Sequence, residues 1–172
     1  VMGSPAEGLS VAARGYAGVQ PHRTPLRLRP HASCERKGMP KILIVDDARF
    51  LGEGLKRILR IKGFEAVSID DGRRVLDIVR TGKFDAVITD LRMPQMPGED
   101  LITRLKEGFP NLPCIVMTGH ATRDCVLRLA REPNVAGILV KPLNYERLFT
   151  TLSQALDRKL QETPIVNNVA KS

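Results

Sequence analysis

The sequence has little of what marks several common protein classes. Its 172 residues contain only three cysteines, Cys34, Cys114 and Cys125, and three histidines. The cysteines show no paired spacing, which is evidence against a zinc site or a disulfide framework. The histidines have no partners at metal-ligand spacing. No apolar run is long enough to span a bilayer, so we expect a soluble, cytoplasmic protein that makes no membrane contact.

Positive charge is concentrated at the start of the chain. Residues 1–38 hold six Lys or Arg and two Glu, which supplies +4 of the formal net charge of +8. This stretch is rich in Gly, Pro, Ala and Arg and has no hydrophobic period, so we predict a disordered basic leader. Met39 is typical of a natural start, in which case the leader is upstream or added sequence. The predicted domain spans 39–160, followed by a flexible tail at 161–172.

From residue 41 onward, short β-branched runs alternate with segments of helical period. Strands that are apolar on both faces and separated by single helices indicate a parallel sheet covered by helices on each side. The predicted fold class is therefore α/β, a doubly wound five-stranded parallel sheet with a (βα)5 flavodoxin-like arrangement. The five predicted strands are Ile42–Val45, Ala66–Ile69, Ala86–Ile88, Cys114–Met117 and Ala136–Val140.

Local signals indicate where the helices begin and end. Thr122 and Asn144 are predicted N-caps, because their side-chain oxygens can accept hydrogen bonds from the first backbone N–H groups of a helix. Gly63 and Gly82 follow segments of helical period and are predicted to end those helices. These signals agree with the alternation of strands and helices.

Polar residues follow four of the predicted strands. Asp46 and Asp47 follow the first strand, Thr89 and Asp90 the third, Thr118 the fourth, and Lys141 the fifth. Ligands of doubly wound sheets bind beyond the carboxyl ends of the strands, so these side chains are predicted to share one crevice. Three convergent carboxylates repel one another unless a cation compensates them, and a hard divalent cation with oxygen ligands meets that need.

These residues resemble the receiver domains of response regulators in two-component signalling. The matching segments are LIVDD at 43–47, ITDLRMP at 88–94, VMTGH at 116–120 and VKPL at 140–143, and the resemblance covers about residues 41–160. It implies that Asp90 accepts a phosphoryl group. It also implies a Mg²⁺ or Mn²⁺ ion and a cis bond before Pro142. The implied metal ligands are Asp46, Asp47, Asp90 and the Arg92 carbonyl, and the implied phosphoryl contacts are Thr118 and Lys141.

The sequence departs from the family pattern at Ile138. Many receivers have Tyr or Phe three residues before the lysine, and that ring swings inward on phosphorylation. Ile138 excludes such a rotamer switch and is expected to pack in the core. Arg92 and His120 occupy positions that, in this family, tune how fast water removes the phosphoryl group; simple solvent exposure is the alternative for each.

The resemblance implies a signalling module of the stand-alone type rather than a turnover enzyme. Its expected partners are a sensor histidine kinase or a histidine phosphotransfer protein, together with an unidentified downstream protein. A phosphorylation-independent scaffold or dimerisation module is the alternative, and a homodimer is left open. A Mg²⁺-dependent phosphohydrolase is less favoured, because the acidic pair after strand one is adjacent and no cap domain fits the length. DNA binding is not expected, since the basic residues of the first helix are typical of a solvated face.

Overall fold

A computed structural model of the protein describes residues 38–162, with side chains through residue 159. The predicted leader lies outside the described residues apart from Gly38, and the predicted tail does so apart from its first two residues. Within the described part, no helix has both the length and the apolar character needed to cross a membrane.

Five parallel strands form one sheet in the order β2-β1-β3-β4-β5. Every pair of neighbouring strands is parallel, and each connection contains a helix. The predicted doubly wound (βα)5 architecture is therefore confirmed. The strands are β1 Lys41–Val45, β2 Glu65–Ile69, β3 Ala86–Asp90, β4 Cys114–Thr118 and β5 Val135–Val140. The helices are α1 Arg49–Ile61, α2 Val75–Gly82, α3 Gly98–Gly108, α4 Arg123–Leu129 and α5 Tyr145–Glu162, with a 3-10 turn at Gly72–Arg74 before α2.

The core consists of two apolar layers on opposite faces of the sheet. One layer packs α1 and α5 against inward side chains such as Ile44 and Ile88. The other packs α2 and α3 against Leu43 and Val87. Alternate residues of the same strand enter different layers, and burial on both faces explains why the strands are apolar throughout. Cys114 lies in the second layer as a buried thiol, and burial raises its pKa to about 12.

The helix boundaries follow local chemistry at most of the predicted positions. The Thr122 hydroxyl accepts from the Cys125 N–H at 3.4 Å, and Asn144 Oδ1 accepts from the Arg147 N–H at 3.0 Å, so both predicted N-caps are confirmed. Gly63 follows α1 with a φ of +87°. Gly82 ends α2 as its last residue rather than as the residue after it, and Lys83 takes the left-handed conformation, with a φ of 48°.

Gly98 lies where α3 approaches the backbone of β3. Its N–H donates to the Leu91 carbonyl at 2.9 Å, which closes the loop after Asp90. A Cβ at this position would lie 2.5 Å from the Asp90 carbonyl oxygen and 2.8 Å from Leu91 Cα. Both distances are steric clashes, and they involve backbone atoms, which cannot relieve a clash by changing a side-chain rotamer. Gly98 therefore fixes the start of α3 relative to Asp90.

We predict that Gly98→Ala destabilises the fold by roughly 1–3 kcal/mol, because the overpacked backbone must shift. Gly54→Ala is the matched control, since Gly54 lies in the interior of α1 and a Cβ there would meet nothing within 4 Å. The control should stabilise the fold by about 0.5–1 kcal/mol. Urea unfolding followed by circular dichroism measures both. Equal effects of the two substitutions would contradict the close approach at Gly98.

Candidate functional site

The predicted polar residues meet at the carboxyl edge of the sheet. Asp46 follows β1, Asp90 and Thr118 are the last residues of β3 and β4, and Lys141 follows β5. The strand order turns at β1, because the chain passes from β1 to β2 on one side and then to β3 on the other. Ligands of such sheets bind at this point.

Three carboxylates form a compact acidic cluster at that edge. Asp46, Asp47 and Asp90 each offer a carboxylate oxygen, and these oxygens lie within 4.8 Å of one another. Asp46 is fully buried, Asp90 is almost so, and Asp47 is exposed. Closely spaced carboxylate oxygens suit Mg²⁺ or Mn²⁺, and the exposed Asp47 leaves a side of the cluster accessible to solvent. The donor set therefore fits a hard divalent cation.

A single ammonium group partly compensates the cluster. Lys141 Nζ donates to Asp90 Oδ2 at 2.8 Å and to Asp46 Oδ2 at 3.0 Å. Burial alone would lower the pKa of Lys141. The hydrogen bonds to Asp90 and Asp46 and the attraction of both charges outweigh burial and raise the pKa above its ordinary value of 10.5. The bridge therefore stabilises the fold below pH 10.5, and this stabilisation is lost as pH rises through the folded-state pKa.

Backbone groups orient the two buried carboxylates. The Ala48 N–H donates to Asp46 Oδ1 at 2.9 Å, and the Arg92 N–H approaches Asp90 Oδ1 at 3.4 Å. These contacts leave one oxygen of each carboxylate for Lys141. Residue type gives no signal for a backbone donor such as Ala48, so the sequence did not indicate its role.

Thr118 lies beside the cluster on the neighbouring strand. Its side chain is fully buried, and its hydroxyl oxygen accepts from the His120 N–H at 3.1 Å. The Lys141 N–H donates to the Thr118 carbonyl at 2.8 Å, which ties the two residues together. The Lys141–Pro142 bond is cis, as the resemblance implied.

The structure also shows the surroundings of Ile138, Arg92 and His120 and of the basic residues near α1. Ile138 is only partly buried and packs against the apolar cluster around α4 from outside it, so the expected core position is met in part; Arg92 and His120 are exposed. Two basic residues in or next to α1 make contacts: Lys56 pairs with Glu53, and Lys62, directly after the helix, lies 5.6 Å from the centre of the Phe149 ring. No helix-turn-helix follows β5 within residues 38–162, since α5 is the last described element.

Comparison with known proteins identifies the family and the fold of the chain. The profile of the response regulator receiver domain family matches residues 42–153. The chemotaxis protein CheY of Pseudomonas aeruginosa is 36% identical over 121 residues, which cover 69% of this chain and 97% of CheY. A receiver domain structure from Clostridium thermocellum aligns with a TM-score of 0.67 and 30% identity, covering 72% of this chain and 98% of that one.

A response regulator receiver protein of Anaeromyxobacter sp. is 37% identical over 110 residues, which cover 64% of this chain and 46% of the relative. The chain thus spans less than half of that longer protein. Receiver domains bind Mg²⁺ in an acidic pocket and act as signalling domains rather than classical enzymes. As a family they interact with histidine kinases or phosphotransfer proteins and with downstream targets. On its matched profile, its fold and its acidic edge, the chain belongs to the response regulator receiver domain family.

Proposed function

We propose that this chain is a phosphorelay receiver in which Asp90 accepts a phosphoryl group. The observation that carries the proposal is the Lys141 ammonium held between Asp90 and Asp46 at 2.8 and 3.0 Å, beside the exposed Asp47 carboxylate. An ammonium next to a nucleophilic carboxylate is placed to meet negative charge that arrives on phosphoryl oxygens. The family of the chain supports the same role.

The proposed donor is a phosphohistidine of a histidine kinase or a phosphotransfer protein. An Asp90 carboxylate oxygen forms a bond to phosphorus while the bond between phosphorus and the imidazole nitrogen breaks. The imidazole leaves after taking up a proton, and Asp90 becomes an acyl phosphate. Hydrolysis by water later returns the carboxylate and inorganic phosphate. The chain is then a signalling protein that is phosphorylated and dephosphorylated, not a turnover enzyme.

The acidic cluster is proposed to hold Mg²⁺ or Mn²⁺. Its ligands would be the carboxylates of Asp46, Asp47 and Asp90 together with the Arg92 carbonyl. When bound, the cation supplies positive charge to the phosphoryl oxygens and reduces the repulsion between an anionic donor and an anionic acceptor. A donor set made only of oxygen atoms supports this choice of metal.

Lys141 and Thr118 are proposed to stabilise the phosphorylated state. Lys141 Nζ exchanges its contact with Asp90 Oδ2 for a phosphoryl oxygen that lies in the same direction. The Thr118 hydroxyl donates to another phosphoryl oxygen while it continues to accept from the His120 N–H. The Thr118 contact is absent from the free carboxylate, so it favours transfer onto Asp90, whereas Lys141 keeps its charge paired before and after the transfer.

The signal is proposed to leave through the surface of α4, β5 and α5. This surface carries three partly exposed large apolar side chains, Leu127, Val140 and Tyr145. The added negative charge on Asp90 would change how this surface binds a downstream protein in the cytoplasm. A phosphorylation-independent scaffold is the second candidate, favoured by Ile138, a partly buried residue at the position where many receivers have an aromatic switch.

Asp90→Asn separates these two candidates. Intact-mass spectrometry after incubation with Mg²⁺ and acetyl phosphate should show one added phosphoryl group on the wild type. The adduct should be absent from Asp90→Asn and after chelation of the metal, and retained in Asp100→Asn, which changes an exposed carboxylate of α3. An unmodified wild type at every time point, with phosphohistidine donors failing as well, would favour the scaffold.

Lys141→Met should slow the transfer while leaving Asp90 in place. Removing one preorganised donor of this kind lowers the rate by about 10²-fold. Initial rates of phosphorylation measured by mass give the comparison, with Lys56→Met as the control, because Lys56 is a half-buried residue of α1 that pairs with Glu53 and is not part of the acidic cluster. A Lys141→Met rate within a factor of about two of the wild type would remove Lys141 from the mechanism.

A further inference from the structure

Helix α4 is weakly anchored to the rest of the domain. It has seven residues, of which only Cys125 and Leu129 are buried. Both pack in an apolar cluster with Leu91, Ile102 and Val116, against which Ile138 also lies. A short helix with two buried side chains lies at the low-stability end of a fold, where small energies decide its position.

A single carboxylate contacts α4 from the neighbouring helix α3. Glu99 Oε1 accepts from the Arg128 guanidinium at 3.1 Å and lies 3.8 Å from the Cys125 thiol sulfur. Cys125 and Arg128 are three residues apart and therefore lie on the same face of α4. Burial and the neighbouring Glu99 charge raise the pKa of the Cys125 thiol. Glu99 thus contacts α4 at two points.

The apolar and the polar contacts of α4 both include a residue close to Asp90 in the fold. Leu91, one of the apolar contacts of α4, is the residue after the proposed acceptor. Glu99, the polar contact, follows Gly98, whose N–H donates to the Leu91 carbonyl at 2.9 Å and which has no room for a Cβ beside the Asp90 carbonyl. The Asp90–Leu91 backbone is therefore in direct contact both with one apolar neighbour of α4 and with the residue that precedes Glu99.

We infer that Glu99 is a positioning residue that holds α4 against α3 until Asp90 is phosphorylated. This inference rests on the proposed function and specifies its regulation: α4 is released through the loop after Asp90, without an aromatic switch. Loss of the contacts to Arg128 and Cys125 frees the face of α4 and exposes the Cys125 thiol. Because the ion pair is partly exposed, it shifts the equilibrium modestly and leaves it reversible.

The reactivity of Cys125 reports directly on this equilibrium. We choose a Cys34→Ser background and follow labelling by a chromogenic disulfide reagent near neutral pH; Cys114 is fully buried and has a raised pKa of about 12. Arg128→Gln should accelerate labelling by about two- to fivefold, the range for loss of an exposed ion pair. Arg131→Gln is the matched control, because Arg131 is exposed and makes no ion pair among the described residues. Arg128→Lys, which keeps the charge, should label at nearly the parent rate.

The direction of the effect distinguishes release from simple electrostatics. Arg128 lowers the pKa of Cys125 by its charge, so its removal without release of α4 would slow labelling. A rate for Arg128→Gln that is equal to or below the parent rate would overturn the inference. Phosphorylation with acetyl phosphate and Mg²⁺ should accelerate labelling of the parent more than of Arg128→Gln, and equal acceleration of both would also overturn it.

The same samples separate this inference from the proposed function. Intact mass reports whether Asp90 carries a phosphoryl group. If the wild type never carries one, the proposed receiver function fails, while the contacts of Glu99 with α4 can still be tested. The comparison of Arg128→Gln with Arg131→Gln needs no phosphorylation, so it still decides whether the Glu99 contacts hold α4.

Discussion

The structure depends on the way one ammonium group compensates several converging carboxylates. Asp46 and Asp90 are buried at the carboxyl edge of the sheet, and Lys141 lies within 3.0 Å of both. Buried charges are costly unless they are paired, so the ends of β1, β3 and β5 must meet in one arrangement. With Asp47 included, the cluster has three carboxylates and one ammonium. The cluster therefore keeps net negative charge, which a divalent cation would compensate.

The parallel sheet makes this arrangement possible. Strands β1 and β3 are neighbours, so Asp46 and Asp90 leave the sheet side by side, and β4 and β5 bring Thr118 and Lys141 to the same edge. The strands thereby fix the positions of the reacting side chains. The proposed response to phosphorylation is a movement of α4, in which only two residues are buried. The loop from Asp90 to Gly98 connects β3, which carries Asp90, to α3, which contacts α4 through Glu99.

The sequence was sufficient to predict the fold and the meeting of Asp46, Asp90 and Lys141 at one edge of the sheet. The five β-branched runs predicted every strand, because burial on both faces leaves a continuous apolar run that is easily recognised. Asp90 and Lys141 could be recognised as site candidates because polar residues follow several parallel strands, and the ends of those strands lie at one edge of the sheet. The close approach of the Phe84 ring to Gly82, where a Cβ would clash with a ring carbon, could not be predicted from a local pattern. The contacts of Glu99 with α4 join residues 26 and 29 positions apart, and residue type alone gave no reason to pair them.

The most direct test of the central claim is the effect of Mg²⁺ on the thermal unfolding temperature. A cation that binds the folded acidic cluster raises this temperature as its concentration increases. The account predicts such a rise for the wild type and for Asp100→Asn, whose substituted residue lies on the exposed face of α3, and a much smaller rise for Asp47→Asn. Equal rises in the wild type and Asp47→Asn, or no rise in either, would contradict the claim that the cluster is a cation site.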